Sequence, residues 1–230
     1  NMPIASQAPL DKDRKQVGFQ RSVPMPTYLV PLFIGEMDVV RDSVDGVALG
    51  IYTPRGKAGK AGFAMESTKQ IVRYFNEYFD TPYALPKLDQ IALPGGIGGA
   101  MENWGAIAYN EARLLVDPAD GTLRQRQGAY GIIAHEIAHQ WFGNLVTMAW
   151  WDNLWLNEGF AQWMQTKTAE RLHPEWNTGV RAGQFRASAM SDDARRTTHP
   201  IQTPVESDAR AMVDATIQRY GRLDIVVNNA

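Results

Sequence analysis

Apolar side chains cluster in two short runs near the start of the chain, 28–40 and 47–53, both rich in Val, Ile, Leu and Tyr. Asp45-Gly46 lies between them and is a hairpin signal, so residues 1–55 predict β structure. A Gly/Lys connector over 55–62 follows. The spacing then changes. Ile71, Val72, Phe75, Tyr78 and Phe79 recur on one face of a helical period, with Pro82 beyond the end. An apolar run at 88–93 predicts a strand, and 95–99 a glycine-rich loop. Short strands are expected at 106–109 and 113–116, followed by the turn signals Asp117-Pro118 and Asp120-Gly121. Residues 124–142 predict a helix apolar on much of its surface, hence a central one. Two more helices are expected at 153–171 and 175–190, the first stopping before Pro174. Strands first and helices after, with no internal repeat, predict an α+β fold rather than alternating βαβ units.

Composition narrows the chemistry. The chain has 230 residues, 44% hydrophobic and 21% charged, the profile of a globular protein with a real core. A net charge of −2 gives no electrostatic reason to expect nucleic acid or an anionic membrane as partner. No run reaches the eighteen or so apolar residues of a membrane span, and residues 1–10 have no signal-peptide pattern. A soluble chain is expected, cytoplasmic, periplasmic or extracellular. Cysteine is absent, so any metal must be held by His, Asp or Glu.

One pentapeptide carries such chemistry. His135-Glu136-Ile137-Ala138-His139 matches H-E-x-x-H. Residues four apart share a helix face, so both imidazoles can reach one ion at about 2.0–2.1 Å. Glu136 adjoins the pair and can hydrogen-bond a water there. Chance yields roughly 0.003 such matches in a chain of this composition. The plain alternative is two buried histidines on an apolar helix. A catalytic zinc takes three protein ligands and keeps one open position. Glu158 opens the next helix, with 18 residues between it and His139, and an antiparallel return would bring it over the imidazoles. Its plain alternative is a first-turn acid favoured by the helix dipole.

Further blocks sharpen the picture. Gly99-Ala100-Met101-Glu102-Asn103-Trp104-Gly105 precedes the zinc motif, and Gln140-Trp141-Phe142-Gly143-Asn144 and residues 150–161 follow it. In order and spacing the chain resembles the aminopeptidase N family of gluzincin metallopeptidases over residues 1–207. The resemblance implies a partial thermolysin-like catalytic domain at 56–207, preceded by the last strands of an N-terminal β domain at 1–55. It implies one Zn²⁺ per chain on His135, His139 and Glu158, with Glu136 as general base toward peptides with a free N-terminus. Glu102 would pair with the substrate α-ammonium, and Gly98, Gly99, Ala100 and Met101 would present backbone groups to an extended peptide. The five tryptophans at 141, 150, 151, 155 and 163 are expected in the core. His173 and His199 are expected to be exposed, and Gln162 is a candidate support for Glu158.

The chain also departs from that family. The large N-terminal and helical C-terminal domains are not represented. Residues 208–230 resemble a short-chain dehydrogenase segment, ending in Asn228-Asn229-Ala230. The family's oxyanion-stabilising tyrosine would fall in this stretch. Tyr220 stands near the right distance from Glu158, but with unmatched neighbours. Three alternatives to an active aminopeptidase stay open: a zinc-binding but inactive piece, a nicotinamide-dependent oxidoreductase, and a non-enzymatic binding module. The oxidoreductase would need an N-terminal strand–Gly-rich turn–helix. Tyr83 and Lys87 have Y-x-x-x-K spacing, but Pro82 and Pro86 oppose a helix there.

Overall fold

The structure is a computed structural model describing residues 1–95, 98–198, 200–202, 204 and 205. Strands β1 (Ile4–Pro9) and β2 (Lys15–Phe19) form an exposed antiparallel hairpin. The strand expected across 28–40 starts later. Thr27–Leu29 makes a single 3₁₀ turn that buries Leu29, and residues 30–36 form no strand. Pro31 has no N–H to give a ladder, and Gly35 weakens extended pairing.

Strands β3 (Met37–Val44) and β4 (Val47–Pro54) then pair antiparallel along their whole length. Asp45 and Gly46 join them with φ of 49° and 83°. Two positive φ values in a row define the turn whose twist suits a tight hairpin. β4 runs parallel to β5 (Lys87–Leu93), and β5 parallel to β7 (Ala106–Asn110). The two-residue β6 (Ala100–Met101) closes the edge antiparallel to β7. The sheet order is β3-β4-β5-β7-β6. β3 and β4, assigned from sequence to an N-terminal unit ending near residue 55, therefore hydrogen-bond into the sheet of the residues that follow.

Helix α1 (Gly62–Tyr78) crosses between the parallel strands β4 and β5 and buries Ile71, Val72 and Phe75. The stretch expected as a strand at 113–116 is partly a helical turn, α2 (Glu111–Leu114). Its cause is local. The Asn110 side chain accepts a hydrogen bond from the Ala112 N–H and caps the turn. Helix α3 (Leu123–His139) starts at a capping box between Thr122 and Gln125 and is buried from Ala129 to His139 on most positions. Helix α4 (Trp155–Leu172) packs against α3, and α5 (Thr178–Asp193) follows. The fold is α+β, with β4, β5 and β7 parallel inside a mixed sheet.

The core lies between the sheet and α1 and α3. Trp141 is its aromatic hinge. It meets Phe75 edge-on at 5.7 Å, and its indole N–H donates to the Thr81 carbonyl. Of the five tryptophans expected inside, Trp141 alone is in the core; Trp150, Trp155 and Trp163 are exposed by 42%, 41% and 48%. They sit on the loop before α4 and on its outer face, where the described residues place no second layer. His173 is half-buried rather than exposed, because its ring stacks on Trp176 at 3.9 Å and meets Tyr130 edge-on. His199, Tyr220 and residues 208–230 lie outside the described residues.

Candidate metal centre

His135 and His139 project from the last turn and a half of α3, with Nε2 atoms 3.1 Å apart. Glu158 comes from the first turn of α4. Its Oε2 lies 3.3 Å from His135 Nε2 and 3.6 Å from His139 Nε2. A tetrahedral ion holding ligands at about 2.0–2.1 Å has ligand–ligand edges of about 3.3–3.4 Å. The three donor atoms thus form one face of such a tetrahedron, and an N₂O set suits zinc. Glu102 and Glu136 converge on the same place, each with a carboxylate oxygen within 4.8 Å of the other's and of a His139 nitrogen. Among the described residues no Lys or Arg forms an ion pair with Glu102, Glu136 or Glu158. Three acids and two imidazoles thus crowd one spot, an arrangement that a divalent cation would suit.

The electrostatics follow from that crowding. Burial, then the charges of Glu102 and Glu158 against the opposing pull of His139, pushes the Glu136 carboxyl up to about 8. Hydrogen bonds from His135 and His139 hold Glu158 far below the ordinary carboxylate range. Burial alone would lower His139, but Glu158, Glu102 and Glu136 together hold it above its usual value.

The turn after α3 orients the second imidazole. His139 Nδ1 lies 3.1 Å from the Phe142 carbonyl oxygen, so an Nδ1–H donates there and turns Nε2 toward His135 and Glu158. Gly143 makes this possible. Its φ is +121°, and a Cβ there would meet His139 Nδ1 at 3.2 Å and Asn157 Nδ2 at 3.3 Å. Phe142 also stacks on Phe160 of α4 at 3.7 Å, which fixes the turn against the helix bearing Glu158.

The loop residues expected to meet a peptide lie along the sheet edge that leads into Glu102. Ala100 and Met101 pair with Tyr109 and Ala108, leaving the far side of β6 as a sheet edge. Gly98 is exposed, with nothing within 4 Å of where a Cβ would stand. Gln162 is exposed on α4, and its carbonyl accepts from Thr166. Tyr83 is buried and donates to the Lys87 carbonyl, while Lys87 pairs with Asp89. Both lie outside any helix, so their spacing is structural.

Some neighbours of the site carry little signal in the sequence. Tyr28 reads as the start of a strand, yet burial, then Glu102 and Glu158, pushes its phenol up to about 12. Gln140 and Asn144 stand in a recognisable run, but their partner, the Glu102 carbonyl, is 38 and 42 residues away.

The comparisons decide the family. Residues 63–221 match the peptidase family M1 domain, more than half of the chain. The chain belongs to peptidase family M1. The match runs past Ser207 and takes in Tyr220. M1 relatives agree. The chain is 46% identical over 165 residues to an aminopeptidase N of Acetobacter pasteurianus, covering 71% of this chain and 46% of that protein. It is 41% identical over 224 residues to aminopeptidase M1-A of Oryza sativa subsp. japonica, and 40% over 224 residues to aminopeptidase M1 of Arabidopsis thaliana. Each plant match covers 96% of this chain and 25% of the relative. The chain therefore spans about a quarter of the length of these plant M1 proteins. Among the described residues no helix is long and apolar enough to cross a membrane.

Proposed function

We propose that this chain carries the catalytic centre of a zinc aminopeptidase, which removes the N-terminal residue from peptides. The observation that carries the reading is the triangle of donor atoms from His135, His139 and Glu158, with Glu136 and Glu102 beside it. The M1 relatives named aminopeptidases support it. His135, His139 and Glu158 would hold one Zn²⁺. When bound, the ion supplies Lewis-acid polarisation of the scissile carbonyl and acidifies a water.

The remaining work falls to side chains. Glu136 takes a proton from the attacking water as the new C–O bond forms. It returns the proton to the amine nitrogen as the C–N bond breaks. Glu102 accepts hydrogen bonds from the substrate α-ammonium. Its carboxylate is within 4.8 Å of the Glu136 carboxylate, inside the roughly 7 Å span of two extended residues. Only the first residue of a peptide puts a cation there while its own carbonyl meets the base. The open edge of β6, with Gly98, Gly99, Ala100 and Met101, receives the peptide backbone as an added strand. Tyr220 is the proposed donor to the developing oxyanion, and residues 56–207, with β3 and β4 completing their sheet, the rest of the catalytic unit.

Elemental analysis and an aminoacyl anilide assay test this reading. About one zinc per chain and hydrolysis of the anilide, with an N-acetylated analogue left intact, are expected. Equal cleavage of both would sink it. Zinc without turnover selects the alternative, a metal-binding but inactive piece of such an enzyme.

A further inference from the structure

The segment bearing Glu102 and the helix bearing Glu136 are joined by one buried side chain. Gln140 follows His139 at the end of α3 and is 1% exposed. Its Nε2 donates to the Glu102 carbonyl at 3.1 Å and to the Glu136 carbonyl at 3.2 Å. Its Oε1 accepts from the Gly105 N–H at 3.0 Å and from the Tyr83 hydroxyl at 3.4 Å. Asn144, 2% exposed, donates to the same Glu102 carbonyl at 2.9 Å. A single carboxamide thus touches both ends of the segment 102–105 and the backbone of the base itself. Asn1, Lys87 and Asp89 hold the backbone at Trp104 and Gly105, and the Asn103 side chain donates to the Tyr28 carbonyl, so the Glu102 carbonyl itself is left to Gln140 and Asn144.

We propose that Gln140, assisted by Asn144, is a positioning residue that sets the spacing between Glu102 and Glu136. It thereby sets how strictly a substrate must carry a free α-ammonium. The inference rests on the aminopeptidase reading and deepens it. Gln140 does not reach substrate in this account; it acts by holding the Glu102 carbonyl to the Glu136 turn. A displacement of about 1 Å at an orienting group costs on the order of 100-fold in rate. The loss falls on substrates whose α-amine Glu102 must place. A des-amino analogue, with no cation to place, loses less.

The experiment compares an aminoacyl anilide with the matching des-amino acyl anilide, using the zinc-loaded chain. Gln140→Met keeps the volume and removes every hydrogen bond. The ratio of kcat/KM for the two substrates is expected to fall about 10-fold or more, chiefly through kcat of the aminoacyl substrate. Zinc content is expected to stay at the wild-type level. Asn144→Leu removes one donor to the same carbonyl and is expected to shift the ratio the same way by less. It also serves if Gln140→Met does not fold. A ratio within about twofold of wild type in the folded variants overturns the proposal, even where both substrates slow equally. If the wild-type chain cleaves neither anilide, the aminopeptidase reading falls by itself. The spacing is then read calorimetrically, from the preference for a free over an N-acetylated dipeptide. Wild-type preference retained in Gln140→Met overturns the proposal in that case too.

Discussion

α3 presents its reactive side chains from inside the protein, whereas α4 presents Glu158 from a first turn that stands largely in solvent. Glu136 and His139 are 5% and 1% exposed, and the Glu158 side chain is 51% exposed. The turn after α3 is held by the Phe142 carbonyl, by Gly143 and by the Gln140 carboxamide. α4 carries exposed Trp155, Leu156 and Trp163 on its outer side. Charge follows the same division. The buried acid, Glu136, is pushed up, and the exposed one, Glu158, is pulled down by its two imidazoles. Substitutions in and behind α3 are therefore expected to cost far more than those on the outer face of α4.

The largest expected effect is on rate. Glu136→Gln keeps shape and burial but cannot accept a proton, so hydrolysis of an aminoacyl anilide should fall about 10³-fold or more. Zinc measured by elemental analysis should stay near one per chain, since the proposed ligands are His135, His139 and Glu158. Activity within tenfold of wild type would remove Glu136 from its role.

The same variant separates the helices by pH. Folded, Glu136 keeps its proton up to about 8, against an ordinary value of 4.5. The stability tied to that proton is fully present below 4.5 and is lost as pH rises through 8. Glu158 has the opposite sign. Its contribution is present above the ordinary carboxylate value and fades as pH falls, and its exposure makes it smaller. Chelator-treated protein should therefore lose stability between pH 5 and 9. Glu136→Gln should recover on the order of a few kcal/mol at pH 9, because each tenfold change in proton affinity is worth about 1.36 kcal/mol. Urea midpoints at the two pH values measure it, and an unchanged slope in the variant would count against the buried acid as its source.

Gly143→Ala probes the support behind His139. At a φ of +121°, with His139 Nδ1 3.2 Å from the added Cβ, backbone strain should cost about 1–3 kcal/mol of stability. The shifted imidazole should weaken zinc about 10-fold or more in a competition titration with a chromogenic chelator. Wild-type affinity would show that the Phe142 carbonyl does not orient the ring.

This division between helices also explains which features can be read from the sequence. The pair His135 and His139 is legible because four residues make one helical turn, and Asp45-Gly46 because a tight hairpin needs those φ values. Glu158 is reachable by counting residues to the next helix. The edge strand β6 is not, since two residues carry no period. The strand expected from residue 28 starts at Met37, because the apolar residues on either side of Pro31 resemble a strand without being able to pair as one. The tryptophans mislead for a related reason. Hydrophobicity sets a preference for burial, but whether a partner surface exists near α4 is a property of the assembled chain. Gln140 and Asn144 show the limit most clearly, because their contacts depend on how the sheet edge meets the end of α3.

The smallest expected effect lies on the outer face of α4. Trp163 meets Phe160 edge-on at 5.4 Å and receives the Lys167 ammonium at 5.2 Å. Those contacts are half in solvent. Trp163→Gln removes both and should cost about 0.5–1 kcal/mol, read as a shift of a few °C or less in Tm. Phe160 keeps its stack on Phe142, so the turn holding His139 is undisturbed and zinc affinity should not change. A loss of affinity comparable to that of Gly143→Ala would mean that the exposed face of α4 and the buried end of α3 respond as one unit. The contrast between the helices would then be one of burial alone, with no bearing on how firmly each holds its ligands.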